Sequence, residues 1–328
     1  MTDKSIWDQY WQADRLASCL NIETPNYSAD MRAGWSAFFS GMPDGAKVLD
    51  ICTGNGAVAA IAVETAREVS KTFDVHGVDG AEIDPARFVP QAAETLKAVT
   101  FLGRTAAEAL PFDDGSFDAV TSNYGIEYTE RQRSIPEAAR VLKSAGRLRF
   151  VVHAVEGTVM RDTKTALDQT AFIMDKVRLH TLARRAIEAV VASERNPDGA
   201  GRDAKLHARA IETRDEFQAG IQQVVKQYGG TRDSAVVMSI ADVLIHTFSV
   251  RGGYSLETLI EKIEESKRET LANRGRLIEL SKAAVNETGA RAIAASLEEH
   301  GLKDMRVEPL LYDVDRRLIG WQIAGVKA

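Results

Sequence analysis

Short apolar runs alternate with segments of helical spacing between residues 47 and 154, and no other feature constrains the fold as strongly. The apolar runs predict strands at 47–51, 73–79, 99–103, 117–122 and 147–153. The segments between them predict helices at 56–70, 85–97 and 134–144. Strands that alternate with helices pair in parallel, with helices on both faces of the sheet. The sequence therefore predicts an α/β fold built on a parallel sheet.

The alternation stops near residue 156, and helical spacing continues to about residue 300. Breaks at 196–201, 229–230, 252–253 and Gly289 divide this stretch into four or five predicted helices. Two strands are then predicted at 306–312 and 317–326, and the turn at 313–316 makes them an antiparallel hairpin. We therefore predict a sheet domain at 46–155 and 301–328, with a large helical insertion at 156–300 between its fifth and sixth strands. Residues 1–45 form a separate helical and aromatic segment.

Composition and charge narrow the function classes. The formal net charge of −6 gives no electrostatic reason for a nucleic-acid partner. The cysteines, Cys19 and Cys52, argue against a disulfide framework and for a reducing compartment. Neither a signal peptide nor an apolar run of about 18–20 residues is evident, and no His pair or Cys cluster predicts a metal. We expect a cytoplasmic protein without membrane or nucleic-acid partners.

The first predicted strand ends in an acid and enters a glycine turn, DICTGNG at residues 50–56. The spacing Gly54-x-Gly56-x-x-Ala59 fits the dinucleotide fingerprint, in which a diphosphate lies at the N-terminus of a helix. An acid four residues before Gly54 favours a cationic ligand and opposes a diphosphate. On the turn alone, a nicotinamide dinucleotide and a cofactor with a cationic end are both open.

Two further motifs accompany this turn, AEALPFDDGSFDAVTS at residues 107–122 and ARVLKSAGRL at residues 139–148. Together the three motifs resemble the class I S-adenosylmethionine-dependent methyltransferases of the ubiquinone/menaquinone-biosynthesis type. Residues 107–122 are similar to the family's segment between strands three and four. Residues 139–148 are similar to its turn into strand five. The resemblance covers 45–154 and, more weakly, the terminal hairpin. It implies a Rossmann-like seven-stranded methyltransferase sheet, with S-adenosyl-L-methionine as cofactor and S-adenosyl-L-homocysteine as product.

The resemblance also implies which residues contact the cofactor. In the family, an acid at the end of strand two accepts hydrogen bonds from both ribose hydroxyls, and this assigns Asp79, with Glu82 and Asp84 as alternatives. The usual adenine-binding Asp or Asn is replaced by Ala106. The predicted cofactor contacts are Asp50, Thr53, Gly54, Asn55, Gly56, Asp79, Gly80, Ala106, Ala107, Glu108, Asn123 and Tyr124.

Catalytic residues are weakly encoded, because alignment supplies much of the acceleration of methyl transfer from a sulfonium. A base contributes only where the acceptor carries a proton. Ligands bind at the carboxyl ends of parallel strands, which makes His153, Glu127 and Tyr128 the candidates. A structural hydrogen bond is the alternative for His153. The N-terminal aromatics Tyr10, Trp11 and Tyr27 are predicted to bind substrate or, alternatively, to pack on the sheet.

These expectations combine into one predicted function. The chain is expected to methylate an O, N or C atom of a small organic molecule. The helical insertion is expected to cap the acceptor site, to form a homodimer surface, or to do both, and residues 1–45 are a candidate lid. A nicotinamide-dependent oxidoreductase is one alternative, against which Asp50 and the Leu110-Pro-Phe stretch argue. A non-catalytic cofactor-binding regulatory or scaffold protein is the other.

Overall fold

The computed structural model describes residues 4–12, 15–18, 26–195, 203–230, 234–311 and 316–328. The chain divides into two compact units. One unit combines Met1–Arg161 with Glu279–Ala328, and the other is Asp162–Ile278. The first unit contains the sheet, and the second is helical. The predicted domain bounds stay a prediction. Cys19 and the predicted break at 196–201 lie outside the described residues, as does most of the turn at 313–316.

One seven-stranded sheet has the strand order β3-β2-β1-β4-β5-β7-β6. The strands are β1 Lys47–Ile51, β2 Asp74–Val78, β3 Val99–Leu102, β4 Phe117–Asn123, β5 Leu142–Val152, β6 Leu302–Leu311 and β7 Leu318–Lys327. Strands β1 to β5 pair in parallel, whereas β7 lies antiparallel between β5 and β6. The predicted Rossmann-like sheet with an antiparallel C-terminal hairpin is confirmed.

The described α-helices precede, connect and follow these strands. They are α1 Lys4–Trp11, α2 Ala29–Ser40, α3 Ala57–Glu68, α4 Pro85–Phe88, α5 Ala93–Leu96, α6 Arg131–Val141, α7 Thr158–Ala171, α8 Leu179–Glu194, α9 Ala204–Tyr228, α10 Ala235–Ser249, α11 Leu256–Ala283 and α12 Glu287–Glu299. None of the helices in the described ranges is both long enough and apolar enough to cross a membrane. The cytoplasmic location stays a prediction.

Several local expectations differ from the structure. The described part of 156–300 holds six α-helices, α7 to α12, where four or five were predicted. The helix predicted at 85–97 is broken, because Pro90 cannot continue the backbone ladder of α4 and starts a short 3₁₀ turn instead. Strand β5 begins at Leu142 rather than at 147, with a bulge that shifts its register against β4 before Arg147. Gly289 is not a break but lies in the first turn of α12, where its N–H donates to the cap residue Asn286 at 2.9 Å.

Helices cover both faces of the sheet, as the alternation predicted. On one face, Trp35 and Phe39 of α2 pack with Ile61 of α3. On the other face, Ile135 of α6 and Leu297 of α12 pack over the sheet. The second unit has its own core, which includes Ile173, Leu179, Ile187, Phe217 and Leu244. The carboxyl ends of the parallel strands β1 to β5 therefore lie at one edge of the sheet.

Trp35 joins this core to the end of β4. Its Nε1 donates to Asn123 Oδ1 at 3.1 Å, and its side chain is fully buried. Trp35→Phe should therefore lower the free energy of unfolding by about 1–3 kcal/mol beyond the effect of lost ring volume, because it leaves a buried acceptor unsatisfied. Urea unfolding followed by circular dichroism measures this difference.

Trp321→Phe is the matched control, because the Nε1 of Trp321 is buried without a hydrogen-bond partner in the described part of the chain. This variant removes the same ring volume and no hydrogen bond. Equal destabilisation by the two substitutions would show that the Trp35–Asn123 hydrogen bond contributes nothing.

Candidate functional site

The glycine turn after β1 is closed by an acid at the end of β2. The N–H of Gly54 donates to Asp79 Oδ2, and the N–H of Ala81 donates to Asp79 Oδ1, both at 2.8 Å. Gly54 and Gly56 have φ values of +54° and +86°, in the left-handed region that favours glycine. Burial raises the pKa of Asp79 to about 6, against the lowering effect of the two N–H groups. Asp79 therefore fixes the shape of the turn.

Asp50 lies under this turn and is buried. Thr53 Oγ1 donates to its Oδ2 at 2.7 Å, and Thr121 Oγ1 donates to its Oδ1 at 2.9 Å. Burial raises the pKa of Asp50 to about 7, and the two hydroxyls partly oppose this rise. The acid that distinguished the turn in the sequence thus links β1 to β4 from within the sheet.

The N-terminal helix α1 is tied to the same region. Asn55 Nδ2 donates to the backbone oxygens of Trp11 at 2.9 Å and Arg15 at 2.7 Å. Asp8 accepts the N–H of Glu82 at 2.7 Å. The indole of Trp11 lies directly against Gly54, where even a methyl group would overlap it. The side chain of Asn55 therefore anchors the segment that covers the glycine turn.

A cavity of about 940 Å³ opens at the carboxyl ends of the parallel strands. Its lining includes half of the predicted site residues: Trp11, Asp79, Gly80, Ala106, Ala107, Glu108, Tyr124, Glu127 and Tyr128. The other nine are not among the lining residues: Asp50, Thr53, Gly54, Asn55, Gly56, Asn123, His153, Tyr10 and Tyr27. The site assignments therefore stay predictions, with a cavity that brings nine of them together.

Of the predicted substrate aromatics, only Trp11 is among the lining residues of the cavity. Tyr27 is buried in the core, and the hydroxyl of Tyr10 donates to the backbone oxygen of Ser18 at 2.8 Å. Trp11 lines the cavity together with Trp7, which the sequence reasoning missed. The spacing of Trp7 and Trp11, one helical turn apart on α1, was the available signal. The surroundings of Tyr10 and Tyr27 therefore agree with the alternative prediction, in which these side chains pack on the sheet.

Glu127 and His153 form a buried pair at the ends of β4 and β5. Glu127 Oε1 accepts the backbone N–H of His153 at 3.0 Å and lies 2.8 Å from its Nδ1. The His153 ring stacks on Tyr124 with centroids 4.1 Å apart, and Tyr128 meets it edge-on at 6.1 Å. Glu127 lines the cavity and His153 does not. The side chains of both residues are almost fully buried, and Glu127 is the one of the two that belongs to the cavity lining.

Cys52 also lines the cavity, in a left-handed backbone conformation with φ of 56°. Burial first, and then the carboxylates of Asp79, Glu127 and others, raise the pKa of its thiol. A thiol with a raised pKa stays protonated and is a poor nucleophile. This agrees with a packing role. Gly125 is needed beside it, because a methyl group there would overlap Cys52 Cβ.

The sheet, its hairpin and a glycine turn held by an acid are the features that the predicted resemblance to class I S-adenosylmethionine-dependent methyltransferases implies, and a family model agrees with this resemblance over part of the chain. Residues 30–177 match the model of the ubiE/COQ5 methyltransferase family. The match supports S-adenosylmethionine as the cofactor and favours neither an oxidoreductase nor a scaffold protein. Among the residues described, no group of His, Cys, Asp and Glu side chains is arranged to hold a metal ion.

Two curated relatives illustrate the similarity. A ubiquinone/menaquinone biosynthesis C-methyltransferase of Geotalea uraniireducens is 34% identical over 32% of this chain and 44% of its own length. A chloroplastic 2-phytyl-1,4-beta-naphthoquinone methyltransferase of Arabidopsis thaliana is 32% identical over 41% of this chain and 51% of its own. The chain thus spans about half the length of these relatives. The solved structure of the YcgJ protein from Bacillus subtilis is 15% identical, with 90% of this chain and 98% of that one covered and a TM-score of 0.35.

Proposed function

We propose that the protein transfers a methyl group from S-adenosylmethionine to a small organic acceptor. The observation that carries the proposal is Asp79, which holds the glycine turn through Gly54 and also lines the cavity. Each carboxylate oxygen has more than one acceptor site, so Asp79 can hold the turn and still receive the ribose hydroxyls. The cofactor and its acceptor would share this cavity.

The cofactor supplies a methyl group that is already activated on a sulfonium, so the protein's main task is to orient two reactants. Thr53 and Thr121 hold Asp50, and Asp79 holds Gly54, which together give the cofactor a rigid floor. Among the three candidate catalytic residues, Glu127 and Tyr128 line the cavity. We assign Glu127 as the group that accepts a proton or hydrogen bond from the acceptor, and His153 as its positioning residue.

The names of the relatives place them in quinone chemistry, whereas the matched segment holds mainly the predicted cofactor site. For this chain we propose a small-molecule acceptor and no nucleic-acid partner. We further propose that the helical segment between β5 and β6 caps the acceptor site, forms a homodimer surface, or does both.

Calorimetric titration with S-adenosylmethionine, S-adenosylhomocysteine and NAD tests the proposed function. We expect micromolar binding of both sulfur nucleosides and no binding of NAD. Binding of NAD alone would replace the proposal with an oxidoreductase. Binding of the nucleosides without methyl transfer to any acceptor in a broad metabolite screen would favour a regulatory or scaffold protein.

Asp79→Asn should weaken S-adenosylhomocysteine binding between about tenfold and a hundredfold, because a charge-assisted hydrogen bond contributes about 1.5–3 kcal/mol. In the variant, the side-chain NH2 group of asparagine would also replace one of the two oxygens that accept the backbone N–H groups of Gly54 and Ala81. Two donors would then face each other, and one hydrogen bond would be lost. The same calorimetric titration measures the change in affinity.

Glu82→Gln is the control, because Glu82 is a neighbouring acid whose carboxylate pairs with Arg104 at 2.8 Å. Its affinity should stay within about twofold of wild type, as expected for a surface ion pair. Normal binding by Asp79→Asn with weakened binding by Glu82→Gln would transfer the ribose role to Glu82.

A further inference from the structure

Glu127 has one carboxylate oxygen that nothing in the described structure uses. Its Oε1 is engaged by His153, whereas its Oε2 is buried without a hydrogen-bond partner among the described residues. Glu127 is only 4% exposed, and it lines the cavity. A buried carboxylate oxygen is unfavourable unless a ligand or water donates to it. This oxygen is therefore available to a hydrogen-bond donor, whether a ligand or water.

The charges that line the same cavity indicate what kind of donor. The two basic side chains are already paired with acids: Arg133 with Glu130 at 3.3 Å, and Lys282 with Glu279 at 2.9 Å. The carboxylates of Asp79 and Glu108 accept backbone N–H groups instead. Carboxylates therefore outnumber cations in the lining, which opposes an anionic ligand and favours a cationic one.

Aromatic rings complete this environment. Trp7 meets Tyr128 edge-to-face with centroids 5.2 Å apart, and it stacks on Trp11 at 6.3 Å. All three side chains line the cavity. Aromatic faces attract organic cations through the ring quadrupole and also bury apolar groups. The cavity thus combines a wall suited to an organic cation with a carboxylate oxygen that lacks a donor.

We propose that the methyl acceptor is a small organic amine that binds as its cation, with its protonated nitrogen donating a hydrogen bond to Glu127 Oε2 while its apolar body packs against Trp7 and Tyr128. Glu127 would then take the proton of this nitrogen, and the lone pair so released would accept the methyl group. This inference rests on the proposed function, since it concerns the acceptor of the same cavity. A neutral phenol would donate a hydrogen bond to Oε2 but would not balance the negative charge of the carboxylates in the lining. The cationic end of the cofactor would satisfy both, so the test has to separate the cofactor from the acceptor.

Three probes of similar size and different charge make the test: 2-phenylethylamine, 4-ethylphenol and 3-phenylpropanoate. Each is titrated calorimetrically into the full chain, with and without saturating S-adenosylhomocysteine. We expect the amine to bind at least roughly tenfold more tightly than either other probe, as a charge-assisted hydrogen bond and a cation–π contact imply. Equal or tighter binding of the phenol or the carboxylate, or no binding of the amine at millimolar concentration, overturns the proposal.

Glu127→Gln should reduce the amine-to-phenol preference roughly tenfold, because the neutral amide removes the charge-assisted bond. Its affinity for S-adenosylhomocysteine should not change. Glu130→Gln is the matched control: it removes one negative charge from the same lining but leaves Oε2 intact, so the preference should persist. If the amine-to-phenol preference survives Glu127→Gln, Oε2 does not bind the amine and the proposal is overturned. If this variant weakens S-adenosylhomocysteine binding, Oε2 serves the cofactor instead, and the proposal is again overturned.

Trp7→Ala gives a second test should Glu127→Gln fail to fold, since it should weaken amine binding more than phenol binding. Equal loss for both probes would contradict a cation site. If wild-type protein bound the amine selectively but bound neither S-adenosylmethionine nor S-adenosylhomocysteine, the proposed function would fail while the cation site stood. The two conclusions are therefore separable.

Discussion

Gly54→Ala should abolish measurable S-adenosylhomocysteine binding and lower the free energy of unfolding by about 1–3 kcal/mol, the usual cost of a strained backbone conformation. Two independent effects act at this position. A φ of +54° is unfavourable for any residue with a Cβ, and the added methyl group would overlap the indole of Trp11. Because Gly54 also donates to Asp79, a shift of its backbone distorts the proposed ribose contact.

Calorimetry measures the binding loss, and urea unfolding measures the stability loss. Tryptophan fluorescence is a suitable unfolding signal, because Trp7, Trp11, Trp35 and Trp321 all belong to the sheet-containing unit. Gly253→Ala is the control for an added methyl group, since open space surrounds that position and its φ is not left-handed. Wild-type binding by Gly54→Ala would mean that the cofactor does not depend on this turn.

A double variant separates the two effects. Gly54→Ala combined with Trp11→Ala removes the overlap but keeps the backbone strain. Compared with Trp11→Ala alone, the added Gly54→Ala should then cost less stability than it does in wild type. An unchanged cost would show that α1 already yields to the methyl group.

The fold was predictable because local signals were strong and agreed with one another. The strands β1 and β4 each contain a short apolar stretch and are buried along almost their whole length, as expected for strands covered on both faces. Prediction failed where tertiary contacts overrule local pattern. The sequence around Ala145-Gly146 is typical of a turn, yet the pairing of Leu142 with Phe117 of β4 extends β5 back to Leu142 around a bulge.

The candidate site was predictable where a motif fixes the backbone, and less so where side chains converge from distant segments. Asp79 follows from its position at the end of β2. The sequence does not show which of Glu127 and His153 lines the cavity, because both residues lie just past strand ends. Only the packing of the folded chain shows that it is Glu127. Likewise, Lys282 and Glu279 reach the lining from the end of α11, where no motif marks them.

Asp50→Asn should remove a large pH dependence from the stability of the protein. Burial raises the pKa of Asp50 from 3.8 to about 7, which corresponds to about 4 kcal/mol of unfolding free energy. Below about pH 4 the carboxyl is protonated in both folded and unfolded chains, and it costs nothing. Between about pH 4 and 7 the folded chain holds a proton that the unfolded chain has released, so stability falls as the pH rises. Above about pH 7 the full cost of the buried charge is present.

Asparagine at position 50 retains a carbonyl that accepts from Thr53 or Thr121 and has no proton to release. The unfolding free energy of Asp50→Asn minus that of wild type should therefore rise by about 3 kcal/mol between pH 4.5 and pH 8. Urea unfolding of the ligand-free protein across this range, followed by tryptophan fluorescence, measures the difference. Asp304→Asn, which removes an exposed carboxyl, controls for the loss of one negative charge. A difference that stays flat with pH would mean that Asp50 ionises in the folded protein without cost, and that the two threonine hydroxyls fully offset its burial.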